Sequence, residues 1–353
     1  MADQPHNRDQ SQRTSEYNCS NHPESVHHFV LHRGYLAEII ALALPAVIGV
    51  PGPGYDGRVH LPFPVFPAAI ALVLLLAPLL AFGYAGERTI QAAQSLPAPW
   101  RLVLPAVLVL PYLIVAVGSH ILALPWLLVY LLAPPLLALL EWLAARLDTG
   151  QRGHFLDFVA LIPLGLAVDL RWLEPAWPQR LALLGKLTLL DAGFYAFLAV
   201  RCLTGVGFDL RLRARDWAVG LREFAFYIPI AIPLGFALGF LHIHRHIDHP
   251  WLILPAWLFS FIGVAVPEEI FFRGWMQNLL ERRVGRIAAL LVTSCLFGLS
   301  HFNKRTTSFN WRYVLLASLA GIFYGRAWRQ DRRVGASAIT HATVDTIWGA
   351  LLR

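Results

Sequence analysis

Two adjacent carboxylates and a guanidinium lie inside an apolar run of the sequence. Glu268 and Glu269 are followed by Arg273, within a run that covers residues 251–280. Ionisable side chains at membrane depth cost about 2.5–3.5 kcal/mol each to insert, so they are typical of functional sites. On a helix, Glu269 and Arg273 share a face and can pair, while Glu268 points well off that face. This spacing leaves one glutamate free for acid–base chemistry.

A buried ion pair that only fixes helix packing is the alternative interpretation of these residues. Pro267, directly before the glutamates, predicts a helix start or a kink at this point. Two later apolar segments bear on the choice. One ends in His301, and the last one contains His341 and Asp345.

These later segments favour chemistry over packing. His341 and Asp345 are four residues apart and therefore share a helix face. A single histidine on a helix is more often a packing residue. Two imidazoles and three carboxylates on three neighbouring segments are typical of a site that holds and deprotonates a water, directly or through a metal ion.

The composition indicates the class of protein that must position these groups. The chain has 353 residues, of which 57% are hydrophobic and 14% are charged. Soluble domains carry roughly 25% charged residues, so the sequence predicts an all-α, polytopic membrane protein. Arginine-rich loops explain the net charge of +7, and no nucleic-acid partner is expected. The three widely spaced cysteines predict neither a disulfide scaffold nor a zinc knuckle.

About ten or eleven transmembrane helices are predicted from the apolar runs. A span needs about 20 apolar residues, with a wide range. The long run over 102–140 is divided at Gly118-Ser119-His120, which has the composition of a tight turn. The predicted spans cover residues 36–50, 64–83, 102–118, 121–140, 155–170, 181–203, 223–241, 252–280, 287–302, 313–328 and 335–352.

The distribution of basic residues predicts the orientation. Residues 1–32 are polar and are expected to form a disordered tail without the layout of a signal peptide. If this tail lies in the cytoplasm and the spans alternate, 18 of the 29 Lys and Arg residues are cytoplasmic, 8 are opposite and 3 lie within spans. This bias predicts a cytoplasmic amino terminus.

Other charged residues in the middle of the chain receive structural interpretations. Lys186 and Asp191 fall in one span, where pairing or a contact with a neighbouring helix is favoured over a polar cavity. Asp157 and Asp169 lie near the ends of a weakly apolar span and are expected to face water.

The three motifs in their order resemble a known family. Glu-Glu-x-x-x-Arg, Phe-x-x-x-His and His-x-x-x-Asp, on successive apolar segments, are similar to those of the CAAX-prenyl-protease and bacteriocin-processing (CPBP, or Abi) intramembrane proteases. The resemblance covers about residues 250–352, and residues 181–250 resemble the upstream part of bacterial members. It therefore implies a protease domain over 181–353, preceded by a transmembrane extension over 33–180 of unmatched role.

The resemblance implies an endopeptidase that cleaves a membrane-associated protein or peptide. Carried over by motif, Glu268 and His301 activate the attacking water. His341 stabilises the oxyanion with help from the residue at position 345, and Glu269 and Arg273 hold the site together.

Two features of the chemistry stay open at this point. Family members have been described as metal-dependent and as glutamate proteases; in the first case zinc is the expected ion and Glu268, His301, His341 and Asp345 are its ligands. Many members carry asparagine where this chain has Asp345. An ionised aspartate cannot donate a hydrogen bond to an oxyanion, so we expect Asp345 to orient His341 or to bind a metal.

Two other functions are alternatives to proteolysis. One is a catalytically silent scaffold or immunity protein. Every catalytic position holds a residue that is competent for the reaction, which argues against this alternative. The other is a proton-coupled transporter, since intramembrane Glu, His and Asp also form proton relays. We expect the protein to be embedded in a lipid bilayer, namely the cytoplasmic (inner) membrane.

Overall fold

The structure, a computed structural model, describes residues 64–352 except 180, 244–249, 305 and 307. The predicted disordered tail and the predicted span at 36–50 lie outside these residues. In the described part of the chain all regular structure is helical, with no strand. The predicted all-α class is confirmed.

Ten main helices follow one another in the described residues, each at the place of a predicted span. They are α1 Val65–Gln94, α2 Ala98–Gly118, α3 Leu124–Leu147, α4 Phe155–Asp169, α5 Ala182–Val200, α6 Ala214–Ala237, α7 Pro250–Val284, α8 Arg286–Leu299, α9 Trp311–Asp331 and α10 Val334–Leu351.

Six of these helices are long and apolar enough to cross a membrane, namely α1, α2, α3, α5, α6 and α7. The protein is therefore an integral, polytopic membrane protein. Helix α8 is apolar but has only 14 residues, which at 1.5 Å per residue span about 21 Å of a hydrocarbon core that is about 30 Å thick. The total of ten or eleven spans stays a prediction.

Left-handed backbone conformations mark the tight connections. His120 has φ of 55° between α2 and α3, so the predicted division at Gly118-Ser119-His120 is confirmed. Gly285 has φ of 80° between α7 and α8, a conformation that a side chain would strain.

The connections between helices gather at two ends of the bundle. At the arginine-rich end, Arg282 donates to the carbonyl oxygens of Gln151 and Thr204, each at 2.6 Å. At the other end, the Asn303 side chain donates to the Asp169 carbonyl oxygen at 3.0 Å. These contacts agree with alternating spans, while the side of the membrane that each end faces stays a prediction.

Two interpretations of charged residues in the middle of the chain are wrong. Asp157 does not face water: it is fully buried and accepts a hydrogen bond of 2.8 Å from Arg201 Nε. Lys186 and Asp191 do not pair. Lys186 lines a cavity, and within the described residues the buried Asp191 carboxylate has no hydrogen-bond partner. Both corrections arise from contacts between helices, which spacing along one helix does not reveal.

Helices from both sides of residue 180 share one apolar core. Phe82 of α1 stacks on Phe194 of α5, with 5.8 Å between ring centroids. Phe197 of α5 stacks on Trp275 of α7 at 5.0 Å. The same core thus supports α7, the helix that carries the two glutamates. The predicted domain boundary near 180 stays a prediction.

Candidate active site

Helix α7 continues without a break through Glu268 and Glu269. On either side of these two residues the helix has a wider, π-helical stretch. These stretches are Phe261–Ala265 and Ile270–Gln277. Pro267 does not start a new helix, contrary to one form of the prediction. A proline removes one helical hydrogen bond and crowds the carbonyl four residues earlier, and a wider turn accommodates both effects. Such turns are frequent at functional sites.

The predicted pair between Glu269 and Arg273 is present and buried. Arg273 Nε lies 3.1 Å from Glu269 Oε2, and both side chains are almost completely inaccessible. Arg273 also donates to the Gly321 carbonyl oxygen at 3.3 Å. Its guanidinium lies over the Phe297 ring, 4.9 Å from the centroid. The arginine therefore joins α7 to α8 and α9.

Glu269 also holds His341 through its second oxygen. His341 Nδ1 lies 2.9 Å from Glu269 Oε1, while the ring stacks on Tyr324 at 4.6 Å between centroids. A carboxylate can only accept this hydrogen bond, so Nδ1 carries the hydrogen. The bond fixes the tautomer and turns Nε2 towards Glu268 and Asp345.

Glu268 has a different environment from its neighbour. Its side chain is about 36% exposed, and its Oε2 lies 3.9 Å from His341 Nε2. That oxygen is buried and has no hydrogen-bond partner in the described part of the protein. Buried polar atoms nearly always have a partner, so this oxygen is placed to receive one from outside the protein chain.

Asp345 approaches the same face of His341. Its Oδ2 lies 3.5 Å from His341 Nε2, as the i, i+4 spacing predicted, and it accepts a hydrogen bond of 3.2 Å from Ser260 Oγ. Glu269 already binds Nδ1 of His341. Asp345 therefore lies next to the other ring nitrogen, Nε2, which also faces Glu268.

His301 lies in the turn after α8. Its Nδ1 lies 2.8 Å from the Phe297 carbonyl oxygen, so Nδ1 donates and Nε2 is the acceptor in the neutral ring. The ring also packs on Phe297, at 5.0 Å between centroids. The backbone of α8 therefore sets the tautomer of this second imidazole.

Two cavities meet at His301. The larger cavity, of about 230 Å³, is lined by Glu268, Asp169, Lys186 and Lys304 together with His301. The smaller cavity, of about 80 Å³, is lined by His341 and Asp345, again with His301. A single water needs about 10–15 Å³, so both cavities admit a polar guest.

Of the four predicted metal ligands, His341 lies close to Glu268 and Asp345, but the four do not form a ligand set. Among the described residues, no three His, Cys, Asp or Glu side chains meet in a group that could hold a metal ion. Nδ1 of His341 is hydrogen-bonded to Glu269. Its Nε2 lies 3.5 Å from Asp345 Oδ2 and 3.9 Å from Glu268 Oε2. The zinc site therefore stays a prediction.

Comparison with known families identifies the part of the chain that holds this arrangement. Residues 250–347 match the family described as type II CAAX prenyl endopeptidase Rce1-like. The predicted resemblance to CPBP proteases is confirmed over residues 250–347, which contain all six predicted site residues. No curated protein and no solved structure matches the chain.

Two serines at the site were missed by the sequence interpretation. Ser337 donates its hydroxyl hydrogen to Glu269 Oε2, and Ser260 donates to Asp345. Ser337 precedes His341 by four residues, so the shared helix face was the available signal. For Ser260 the sequence held no comparable signal.

Proposed function

We propose that the protein is an intramembrane endopeptidase that hydrolyses a peptide bond of a membrane-associated protein or peptide. The observation that carries the proposal is the unequal environment of the two glutamates. Glu269 is saturated by Arg273 and His341, whereas Glu268 keeps an unpartnered oxygen beside a cavity. One glutamate therefore builds the site, and the other is available to a reacting water.

The first step is attack of water on the substrate carbonyl. Glu268 accepts a proton from the water, and His301 Nε2 accepts its second hydrogen bond and orients it. The carbon–oxygen bond forms as the carbonyl π electrons move to its oxygen. His341, held at Nδ1 by Glu269, directs Nε2 towards that oxygen; in its protonated form it donates a hydrogen bond to the negative charge.

The second step is departure of the amine. The carbon–nitrogen bond breaks as the oxyanion collapses, and protonated Glu268 returns its proton to the leaving nitrogen. Asp345 lies next to His341 Nε2, so its negative charge favours the protonated imidazole. Glu269 and Arg273 act as positioning residues, because they reach the reacting atoms only through His341.

The proposed protease activity belongs to the predicted domain 181–353, which is in contact with the bilayer. The proposed location is the cytoplasmic (inner) membrane, with the amino terminus in the cytoplasm. The partner is a membrane-bound protein or peptide, and no nucleic acid takes part.

Comparison of released peptides tests the proposal. Membranes containing the wild-type protein and membranes containing Glu268→Gln are incubated in parallel, and new peptide termini are identified by mass spectrometry. We expect termini that depend on Glu268. Glu87→Gln, at an exposed position of α1, is the matched control and should retain them. Identical termini in all three samples contradict the proposal.

A further inference from the structure

Three exposed arginines at the arginine-rich end of the bundle differ from their neighbours. Arg152, Arg283 and Arg286 are exposed, and within the described residues none of them forms an ion pair. Other arginines at this end do have a carboxylate partner: Arg201 with Asp148, Arg215 with Asp331, Arg326 with Glu223, Arg332 with Glu281 and Arg333 with Asp216.

One contact between two connections brings these three arginines together. Arg283 Nε donates to the Gly153 carbonyl oxygen at 2.6 Å, so Arg283 lies beside the residue that follows Arg152. Arg286 comes three residues after Arg283, across the tight turn between α7 and α8. The connection between α3 and α4 and the turn between α7 and α8 therefore present their guanidinium groups on one surface.

The carboxylates of this region are engaged by other arginines. Asp148 accepts hydrogen bonds from two backbone N–H groups of its own connection, and Arg201 Nη2 donates to it at 2.7 Å. Glu281 lies 3.3 Å from Arg329 and 2.8 Å from Arg332. Residues 141–157, 201, 281–286, 329 and 332 contain eight arginines and four carboxylates. This surface therefore keeps a net positive charge after its internal ion pairs are counted.

Exposed apolar side chains continue from the arginines along the two helices that begin there. On each helix they recur at intervals of three or four residues, so they share a face. They are Phe155, Val159, Ile162 and Leu166 on α4, and Ile287, Leu291 and Leu296 on α8. A molecule that satisfies the whole surface has an anionic group next to a long apolar part.

We propose that Arg152, Arg283 and Arg286 bind the headgroup phosphate of an anionic phospholipid whose acyl chains lie along the exposed faces of α4 and α8. Guanidinium groups bind phosphate oxygens in a bidentate manner, and basic surfaces next to membrane helices attract anionic headgroups. A zwitterionic lipid adds an ammonium group, which the arginines repel. The site shares no residue with the candidate active site, so the proposal does not rest on the proposed function.

Lipid binding is measured on the purified full chain in detergent. Native mass spectrometry gives the Kd of the first bound dioleoylphosphatidylglycerol and, separately, of dioleoylphosphatidylcholine. We expect the anionic lipid to bind at least tenfold more tightly. The double variant Arg152→Gln with Arg286→Gln should lose this preference at a wild-type Tm, because neither side chain has a polar contact in the described chain to lose. Arg215→Gln, which removes a paired arginine at the same end, should keep it.

Reversal of charge gives a result that a general loss of structure does not produce. Arg152→Glu with Arg286→Glu should bind the cationic lipid dioleoyltrimethylammonium propane more tightly than phosphatidylglycerol. Arg283 also holds the Gly153 carbonyl oxygen, so Arg283→Lys, which keeps the charge, is compared with Arg283→Gln. We expect only the glutamine variant to weaken binding of phosphatidylglycerol.

Photo-crosslinking tests the position of the lipid. Phosphatidylglycerol with a diazirine in one acyl chain is irradiated with the protein in phosphatidylcholine nanodiscs, and labelled peptides are identified by mass spectrometry. We expect labels within residues 155–166 and 287–299, which unlabelled phosphatidylglycerol prevents and inorganic phosphate or polyglutamate does not.

Four results would overturn the proposal. They are equal affinity of the wild type for the two dioleoyl lipids, an unchanged preference in the double glutamine variant, labels that no lipid prevents, and displacement of the lipid by inorganic phosphate or polyglutamate. The last of these would show a site for a free anion or for an acidic protein segment in place of a lipid.

Discussion

His341 Nδ1 lies 2.9 Å from Glu269 Oε1, so the second glutamate of the pair holds an imidazole as well as a guanidinium. One buried carboxylate thereby connects α7 to α10 and to Arg273. The contact with His341 gives Glu269 a second structural role, in addition to the pairing with Arg273 that the spacing predicted.

Glu269→Gln should therefore damage stability and the site together. Glutamine leaves the Arg273 guanidinium without a counter-ion in a buried position, at a cost of about 3–5 kcal/mol. We expect a lower Tm in detergent and weaker cleavage. The double variant Glu269→Leu with Arg273→Met removes both charges and should recover much of the Tm without recovering cleavage. A wild-type Tm for the single variant would show that the pair does not stabilise the fold.

Glu268→Gln should have the opposite profile. The side chain keeps its shape but cannot accept a proton, so cleavage should fall by at least about 10²-fold. Expression and Tm should stay near those of the wild type, because Glu268 Oε2 has no partner among the described residues to lose. Proteolysis at the wild-type rate in this variant removes Glu268 from the mechanism.

Asp345→Asn tests how the site uses its third carboxylate. The amide oxygen can still accept the hydrogen bond from Ser260, and the amide nitrogen can donate to an oxyanion. In a metal-free site we expect activity to be retained, with no effect of a membrane-permeant chelator. If Asp345 binds a metal, the variant should lose affinity for the ion and become more sensitive to the chelator.

The two results of that experiment exclude different versions of the site. Full activity with no chelator effect excludes binding of a metal through Asp345. Loss of activity that added zinc restores excludes the metal-free version. Ser260→Ala serves as the comparison, since it removes the contact to Asp345 without changing any charge.

Cysteine labelling should place the two ends of the bundle on opposite sides of the membrane. In a background without the native cysteines, Val284→Cys reports on the arginine-rich end and Ser308→Cys on the other; both positions are exposed. The positive-inside rule predicts that an impermeant reagent labels position 308 in intact cells and reaches 284 only after permeabilisation. Cysteine at Ser15 should behave like position 284. The reverse pattern would contradict the predicted orientation.

The sequence by itself determined the class of protein, the helices and the pairs along single helices. Apolar runs identified all ten main helices of the described residues. Spacing of four residues predicted the contacts of Glu269 with Arg273 and of His341 with Asp345, because the helical rise and rotation fix which side chains share a face.

Only the tertiary structure decided which groups meet between helices. Helix packing, which spacing within one segment does not encode, brings Glu269 to His341 and buries Asp157 against Arg201. The same packing places the two lysines of the chain, Lys186 and Lys304, in the cavity that Glu268 also lines. Each of these contacts depends on the rotation and depth of a helix relative to its neighbours, and those are set by the shared apolar core.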